Sequence, residues 1–321
     1  MAEKGKSSVK ILIIVLRAIG DVLLTTPLIR AIKKNKPESQ IYFLTQKTSE
    51  DILKNNSYLS GIILMDKDTV KKIKEYKFDV VIDFMNCAIS GYYTFKSGAK
   101  KRIAFYRPWG FWCYNIMPKY SAQGYTVNDR LSMLDLLDLK KDGINLDLNY
   151  NIKNEEKVFS FFEQNNISQK DLLISFDVTS KRDYKSWQSE KFAKLADMIS
   201  EKLNAKVIFI YAPNEIDYVK NTMNLCKKQH ILSFNTGLLD LTALIKNVKL
   251  HIGTSSAPGH IAVSQQTPTF IIYGKRTNPI NWTPPGSDIH KYIQGDLDKL
   301  SVEEVFEKLK ENYGIINNLL S

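Results

Sequence analysis

Short apolar runs rich in β-branched residues alternate with amphipathic helical stretches along all 321 residues, which restricts the chain to βαβ units with parallel sheets. Strands are expected at 10–16, 40–45, 61–65, 78–85 and 102–106, and then at 172–176, 206–211, 230–234, 249–252 and 269–273. Helices are expected at 22–34, 127–139 and 158–164, with a last one over 302–320 interrupted by Gly314. The polar stretch 149–156 precedes the second alternation, so the boundary is placed near residue 160. This gives an α/β chain of two doubly wound domains, 1–160 and 161–321. Open α/β sheets bind ligands beyond the carboxyl ends of their strands, and two such domains would face one another across a cleft.

Composition narrows the class. A hydrophobic fraction of 44% is ample for two cores, and the longest early apolar stretch, residues 11–16, is far short of a membrane span. Lys4, Lys6 and Lys10 precede that stretch as in a secretory signal, but Arg17 stands where a cleavage site is needed, so a cytoplasmic protein is expected. Cys87, Cys113 and Cys226 form no C-x-x-C pair and show no neighbouring histidine at ligand spacing, so neither a metal nor a disulfide framework is expected. The net charge of +11 is lopsided, with 24 Lys+Arg against 15 Asp+Glu in residues 1–150 and 21 against 19 thereafter. The first half therefore suits an anionic partner, and a nucleic acid is the weakest candidate because only charge speaks for it.

The chemistry-bearing residues follow strands. After the first strand, Gly20 permits a tight turn and Asp21 opens a helix, either as its cap or as a general base accepting a proton from a hydroxyl nucleophile. Pro27 lies early in that helix, where its missing N–H needs the first turn or a kink. In the second half, residues 253–260 read Gly-Thr-Ser-Ser-Ala-Pro-Gly-His. Hydroxyls and small residues ahead of a helix bring backbone N–H groups and the positive dipole end together, which describes a phosphate cradle formed by Thr254, Ser255, Ser256, Ala257, Gly259 and His260. A third strand exit, from Asp177 through Ser180 to Lys185 and Trp187, offers a lysine as a point charge for a diphosphate. Asp240 opens the run 239–245 and suits either a ribose hydroxyl or a helix cap. Phosphate-loop and dinucleotide fingerprints are absent, and the four histidines are scattered, so a metal-independent site is the economical reading.

Taken together, the segments Leu16–Pro27, Lys185–Trp187, Leu239–Ile245, Gly253–His260 and Tyr273–Pro284 resemble glycosyltransferase family 9, the ADP-heptose:lipopolysaccharide heptosyltransferases. The resemblance covers most of the chain. It implies a GT-B fold of two Rossmann-like domains, a terminal helix packing back on the first, and no cofactor beyond the nucleotide-sugar co-substrate. It also implies an inverting single displacement with Asp21 as base. Lys185 would contact donor phosphate, Ser256, Ala257 and His260 would form the diphosphate turn, and Asp240 would lie near the nucleoside. The chain departs from the family where Ser255 replaces an aspartate and Ala257 a glycine. The acceptor would be an anionic glycolipid at the inner face of a membrane, met by Lys100, Lys101, Arg102, Arg107 and Trp109. Alternatives from other classes are a non-catalytic sugar-nucleotide binder, a transferase for another nucleotide sugar and an epimerase of GT-B type.

Overall fold

A computed structural model describes residues 8–16, 18–122, 124–180 and 182–312, and the chain divides into two compact units, 1–148 and 149–321. In the first unit the order is β1 (Lys10–Ile14), α1 (Ile19–Leu23), α2 (Thr26–Asn35), β2 (Gln40–Thr45), α3 (Glu50–Leu53), β3 (Gly61–Leu64), α4 (Thr69–Tyr76), β4 (Val80–Asp83), α5 (Ala88–Lys96), β5 (Lys101–Ile103) and α6 (Thr126–Leu131). The second holds α7 (Ile152–Gln164), β6 (Leu173–Asp177), α8 (Ser189–Leu203), β7 (Lys206–Ile210), α9 (Ile216–Asn224), β8 (Ile231–Leu232), α10 (Leu238–Lys246), β9 (Leu250–Thr254), α11 (Ala257–Ser264), β10 (Thr269–Gly274), β11 (His290–Gly295) and α12 (Val302–Asn312).

Both sheets are parallel, and each reverses its strand order once. The first runs β3-β2-β1-β4-β5 and the second β11-β10-β9-β6-β7-β8. The reversal lies between β1 and β4 in one unit and between β6 and β9 in the other, so the loops leaving those four strands border the crevices that such sheets use for ligands. Central strands such as Ile11–Ile14, β4 and β6 are buried along their length because helices cover both faces. This is the α/β, two-sheet class expected from the alternation.

Three elements differ from the sequence reading, each for a local reason. The helix expected at 22–34 is two helices. Pro27 cannot donate to the Leu23 carbonyl four residues back, and the Thr26 hydroxyl donates to that carbonyl instead, at 2.8 Å. The Thr25 hydroxyl likewise donates to the Asp21 carbonyl at 2.8 Å. The boundary expected at 160 falls inside α7, whose start lies within the polar stretch 149–156. Asn151 caps it by accepting the Lys153 N–H at 3.1 Å, and Asn154 reaches back to the Asn151 N–H at 3.0 Å. Strand β11, not foreseen at all, is a sheet edge whose mostly half-exposed residues give little apolar signal.

In α12, Val302, Val305, Phe306 and Leu309 join the core of the second unit with Leu195 and Ile199 of α8. The described part of the terminal helix thus contributes to the core of its own unit. Residues 313–320 of the helix expected at 302–320 lie outside the described residues.

Candidate active site

At the crevice of the first sheet, the turn from β1 into α1 is made by Ala18, with φ 28° and ψ 128°, while Gly20 sits within α1. A non-glycine residue in that region is strained, and strain of this kind gathers at functional turns. The tight turn assigned to Gly20 is therefore made two residues earlier. Asp21 follows in the first turn of α1, its side chain 33% exposed and its Oδ1 3.3 Å from Nη2 of Arg130 on α6. The Arg130 guanidinium also lies over the Phe84 ring, 4.4 Å from its centroid. Burial pulls its pKa below the ordinary arginine value, with Asp21 and Asp129 acting against that pull. Arg130 thus fixes the orientation of Asp21. Sequence reading passed over it, although a cation between the apolar positions Val127 and Leu131 of a covering helix was a usable signal.

The second sheet's crevice gathers most of the remaining predicted residues. Trp187 is fully buried, donates to the Leu300 carbonyl at 3.2 Å and meets Phe192 edge to face at 5.0 Å. It anchors the loop that carries Lys185. Lys185 Nζ donates to Ser255 Oγ at 3.2 Å and lies 5.9 Å from the centroid of Trp282. The ring of His260 is 6.0 Å from the same indole. Burial, then the nearby Lys185 charge, pushes the His260 imidazole down to about 4, so at neutral pH it is an uncharged ring with one N–H to donate. Ser255, Ser256, Gly259, His260 and Trp282 line one recess together with Thr254 and Tyr273.

The hydroxyls of the turn have different tasks from those expected. Thr254 is buried and donates to the Thr179 carbonyl at 2.9 Å, so it fastens the strand end. Ser256 is the N-cap residue of α11, yet its side chain does not cap the helix; it donates to Asp177 Oδ2. A serine has one proton, so this one has none left for a phosphate, while the first turn of α11 is left without a side-chain cap. Ser255, which accepts from Lys185, retains its proton. Ala257 and Gly259 contribute backbone in the first turn. Glycine at 253 and 259 answers protein packing: a Cβ at Gly253 would lie 2.9 Å from the Asp177 Cβ, and one at Gly259 would lie 3.1 Å from Ile271 Cδ1.

Asp177, at the end of β6, is the acidic residue that sequence reading missed. It is 3% exposed and accepts from Ser256 and from the Thr179 N–H and hydroxyl, at 3.3 and 3.1 Å. Burial pushes its carboxyl up to about 6 against these donors. The single proton of that hydroxyl is shared with Glu215, whose Oε2 lies 2.9 Å from the Thr179 oxygen.

Several expected contacts are not brought together. Asp240 is buried against α7, accepting from Asn154 at 2.7 Å and pairing with Lys157 at 3.0 Å, and it does not line the recess of the phosphate turn. Its observed task is to clamp α10 to α7. Ser180 exchanges hydrogen bonds with Arg182 at 3.2 and 3.3 Å, closing its own loop. Arg102 is committed to the carbonyls of Cys113 and Ala99, at 2.8 and 3.0 Å, and staples its segment rather than offering a free cation. Lys100, Lys101, Arg107 and Trp109 are exposed, and the Arg107 guanidinium lies 5.9 Å from the Trp109 ring centroid.

Among the described residues, one cysteine does have a histidine at ligand spacing, contrary to expectation. Cys226 and His230 stand four apart, and with Asp197 of α8 their ligand atoms lie within 4.8 Å of one another. The Asp197 carboxylate accepts from the backbone of Lys227 and Lys228 at 2.8 and 3.0 Å and meets His230 Nε2 at 3.0 Å. It caps the turn after α9, and burial beside it pushes the Cys226 thiol up to about 12.

Residues 68–309 match the model for glycosyltransferase family 9 (heptosyltransferase). Lipopolysaccharide heptosyltransferase 3 of Escherichia coli K12 is 26% identical over 94% of this chain and 92% of its own length. The lipopolysaccharide core heptosyltransferase OpsX of Haemophilus influenzae is 26% identical over 84% of this chain and 80% of its own. Among solved structures, a family 9 glycosyl transferase from Veillonella parvula superposes with a TM-score of 0.84 at 21% identity, covering 97% of both chains. The E. coli heptosyltransferase WaaC, solved with ADP, gives 0.72 at 15% identity, covering 95% of this chain and 98% of that one.

Proposed function

We propose, since this chain belongs to glycosyltransferase family 9 and is a glycosyltransferase with the GT-B fold, that it moves a heptose from ADP-heptose onto a lipopolysaccharide core acceptor, inverting the anomeric centre without a metal. The donor unit is 149–321 and the acceptor unit 1–148. The acceptor hydroxyl attacks the anomeric carbon as its proton passes to Asp21. The bond from that carbon to the diphosphate oxygen breaks, and the nucleoside diphosphate leaves toward the turn at 254–260. There Lys185, the Ser255 hydroxyl, the neutral His260 and the backbone of the first turn of α11 take up the growing negative charge. Lys100, Lys101, Arg107 and Trp109 receive the anionic acceptor at the cytoplasmic face of the membrane.

The observation that carries this reading is the approach of Lys185 to Ser255 at the strand-order reversal, beside a helix start whose cap residue has turned to Asp177. Relatives named as heptosyltransferases, one of them solved with ADP, support the choice of donor. The test is transfer from ADP-heptose to a heptose-deficient core oligosaccharide in excess EDTA, with the product linkage read by NMR. Activity that disappears with EDTA and returns with a divalent ion, or a product that retains configuration, overturns the mechanism. Ser255, where the family has an aspartate, favours a second reading in which the donor is another nucleotide sugar. Stronger thermal stabilisation by UDP or GDP than by ADP would select it.

A further inference from the structure

Between Asp83 and Asp129 the chain contains no acidic residue across 45 positions, although it averages one acid in every nine or ten (34 in 321). The same 45 positions hold six Lys+Arg and 12 aromatic residues. Helix α5 within this stretch is inside out. Its buried positions are Ser90, Gly91, Tyr93 and Thr94, while Ile89, Tyr92 and Phe95, on successive turns, are exposed. A helix at a water-facing surface shows the opposite arrangement. A second exposed apolar pair stands later in the stretch: Phe111 and Trp112 are 61% and 72% exposed, their rings 5.0 Å apart. The two pieces adjoin, since a Cβ at Gly91 would lie 3.0 Å from the Cys113 sulfur and 3.2 Å from the Tyr114 hydroxyl. Cations frame the patch. Lys96 lies 5.5 Å from the Tyr92 centroid, and Lys100, Lys101, Arg107 and Lys119 are exposed.

We propose that the exposed face of α5 together with Phe111 and Trp112 inserts into the interface of an anionic bilayer, holding the acceptor unit at the surface where its glycolipid is presented. Aromatic rings with polar edges settle at the headgroup level, and lysines beside them take the negative surface potential. The charge selects this occupant over a second copy of the chain, because a self-complementary interface would set the five framing cations against five more. The proposal deepens the acceptor reading above and rests on it for its role, but the binding itself needs neither donor nor acceptor.

The experiment is flotation of the full-length protein with vesicles of phosphatidylethanolamine and phosphatidylglycerol, against vesicles of phosphatidylcholine. The expected result is at least tenfold preference for the anionic vesicles, falling with added salt. The triple variant Phe95→Ser, Phe111→Ser, Trp112→Ser should lose at least tenfold in partition and retain transfer to a soluble core oligosaccharide. These side chains are exposed, so the variant keeps the wild-type melting temperature. Lipids brominated near the headgroup should quench wild-type fluorescence and lose most of that quenching in Trp112→Phe. Equal partition of wild type and triple variant, equal affinity for both vesicle types, or no binding at all overturns the proposal. Loss of transfer to the soluble oligosaccharide in the triple variant also overturns it and assigns the patch to the acceptor. Absence of any transfer by the wild type, with partition intact, counts against the enzymatic reading alone.

Discussion

Replacing Asp177 by Asn tests whether the donor turn is held by a carboxylate kept at a cost to stability. In the folded protein this carboxyl titrates at about 6, against 3.8 in an unfolded chain, because burial outweighs the donations from Ser256 and Thr179. The folded state therefore binds more protons between those two values, and stability from this group falls as pH rises through them. The whole shift is worth about 3 kcal/mol at 1.36 kcal/mol per pH unit. Between pH 5 and 7.5 it amounts to on the order of 1 kcal/mol, since the part of the window below pH 5, where the unfolded carboxyl ionises, is left out. Asn keeps the shape and the acceptor oxygen for Thr179 but cannot ionise. The assay is urea unfolding of both proteins across this range, read as variant minus wild type so that other titrating groups cancel. The difference should move in favour of Asn by on the order of 1 kcal/mol from pH 5 to 7.5. A difference flat with pH refutes the claim that Asp177 is a buried, ionising group. Where the two units unfold in separate transitions, only the transition of unit 149–321 should carry the effect.

Asp21→Asn should lower the transfer rate by roughly 100- to 10,000-fold while leaving ADP affinity by calorimetry unchanged, and a rate within a few-fold of wild type refutes its role as base. Lys185→Ala removes a charge-assisted contact of about 2 kcal/mol, so ADP should bind roughly thirty-fold more weakly, whereas unchanged affinity places the diphosphate elsewhere. His290 is buried beside Thr269, and burial pushes it down to about 4 from 6.5. Its stabilising effect is present above pH 6.5 and lost as pH falls through 4, by up to about 3 kcal/mol. His290→Gln should soften the acid limb of the urea midpoint, and an identical limb in both proteins refutes this.

The fold was legible because parallel strands buried on both faces leave runs such as Ile11–Ile14 and Val80–Ile82 that nothing else explains. Strand β11 and the start of α7 were not, since an edge strand and a capped helix start are both written in polar residues. Lys185, Ser255 and His260 could be singled out as candidates because small and charged residues follow strands there, and the structure does bring them together. Asp240 could not be resolved from sequence. The same acid at the same helical position suits a ribose or a neighbouring lysine, and its contacts with Asn154 and Lys157, more than 80 residues away in sequence, are visible only in the structure.

Asp177 and Ser256 show why a residue-type reading of a phosphate turn overcounts its donors. Four polar side chains, at 177, 179, 254 and 256, lie at the ends of two adjacent strands, with Asp177 paired in register to Gly253. Three of them are hydroxyls, and all three spend their protons on the scaffold: Thr254 on the Thr179 carbonyl, Thr179 on carboxylates, and Ser256 on Asp177. Had Ser256 capped α11 instead, its oxygen would have occupied the N–H of Gly259, since Pro258 before it has none. By drawing the cap aside, Asp177 leaves that N–H without a side-chain acceptor, with Lys185 and Ser255 alongside, as the proposed diphosphate site requires. A buried carboxyl that lowers stability at neutral pH is then accounted for by what it keeps open, which is where function and stability are expected to part.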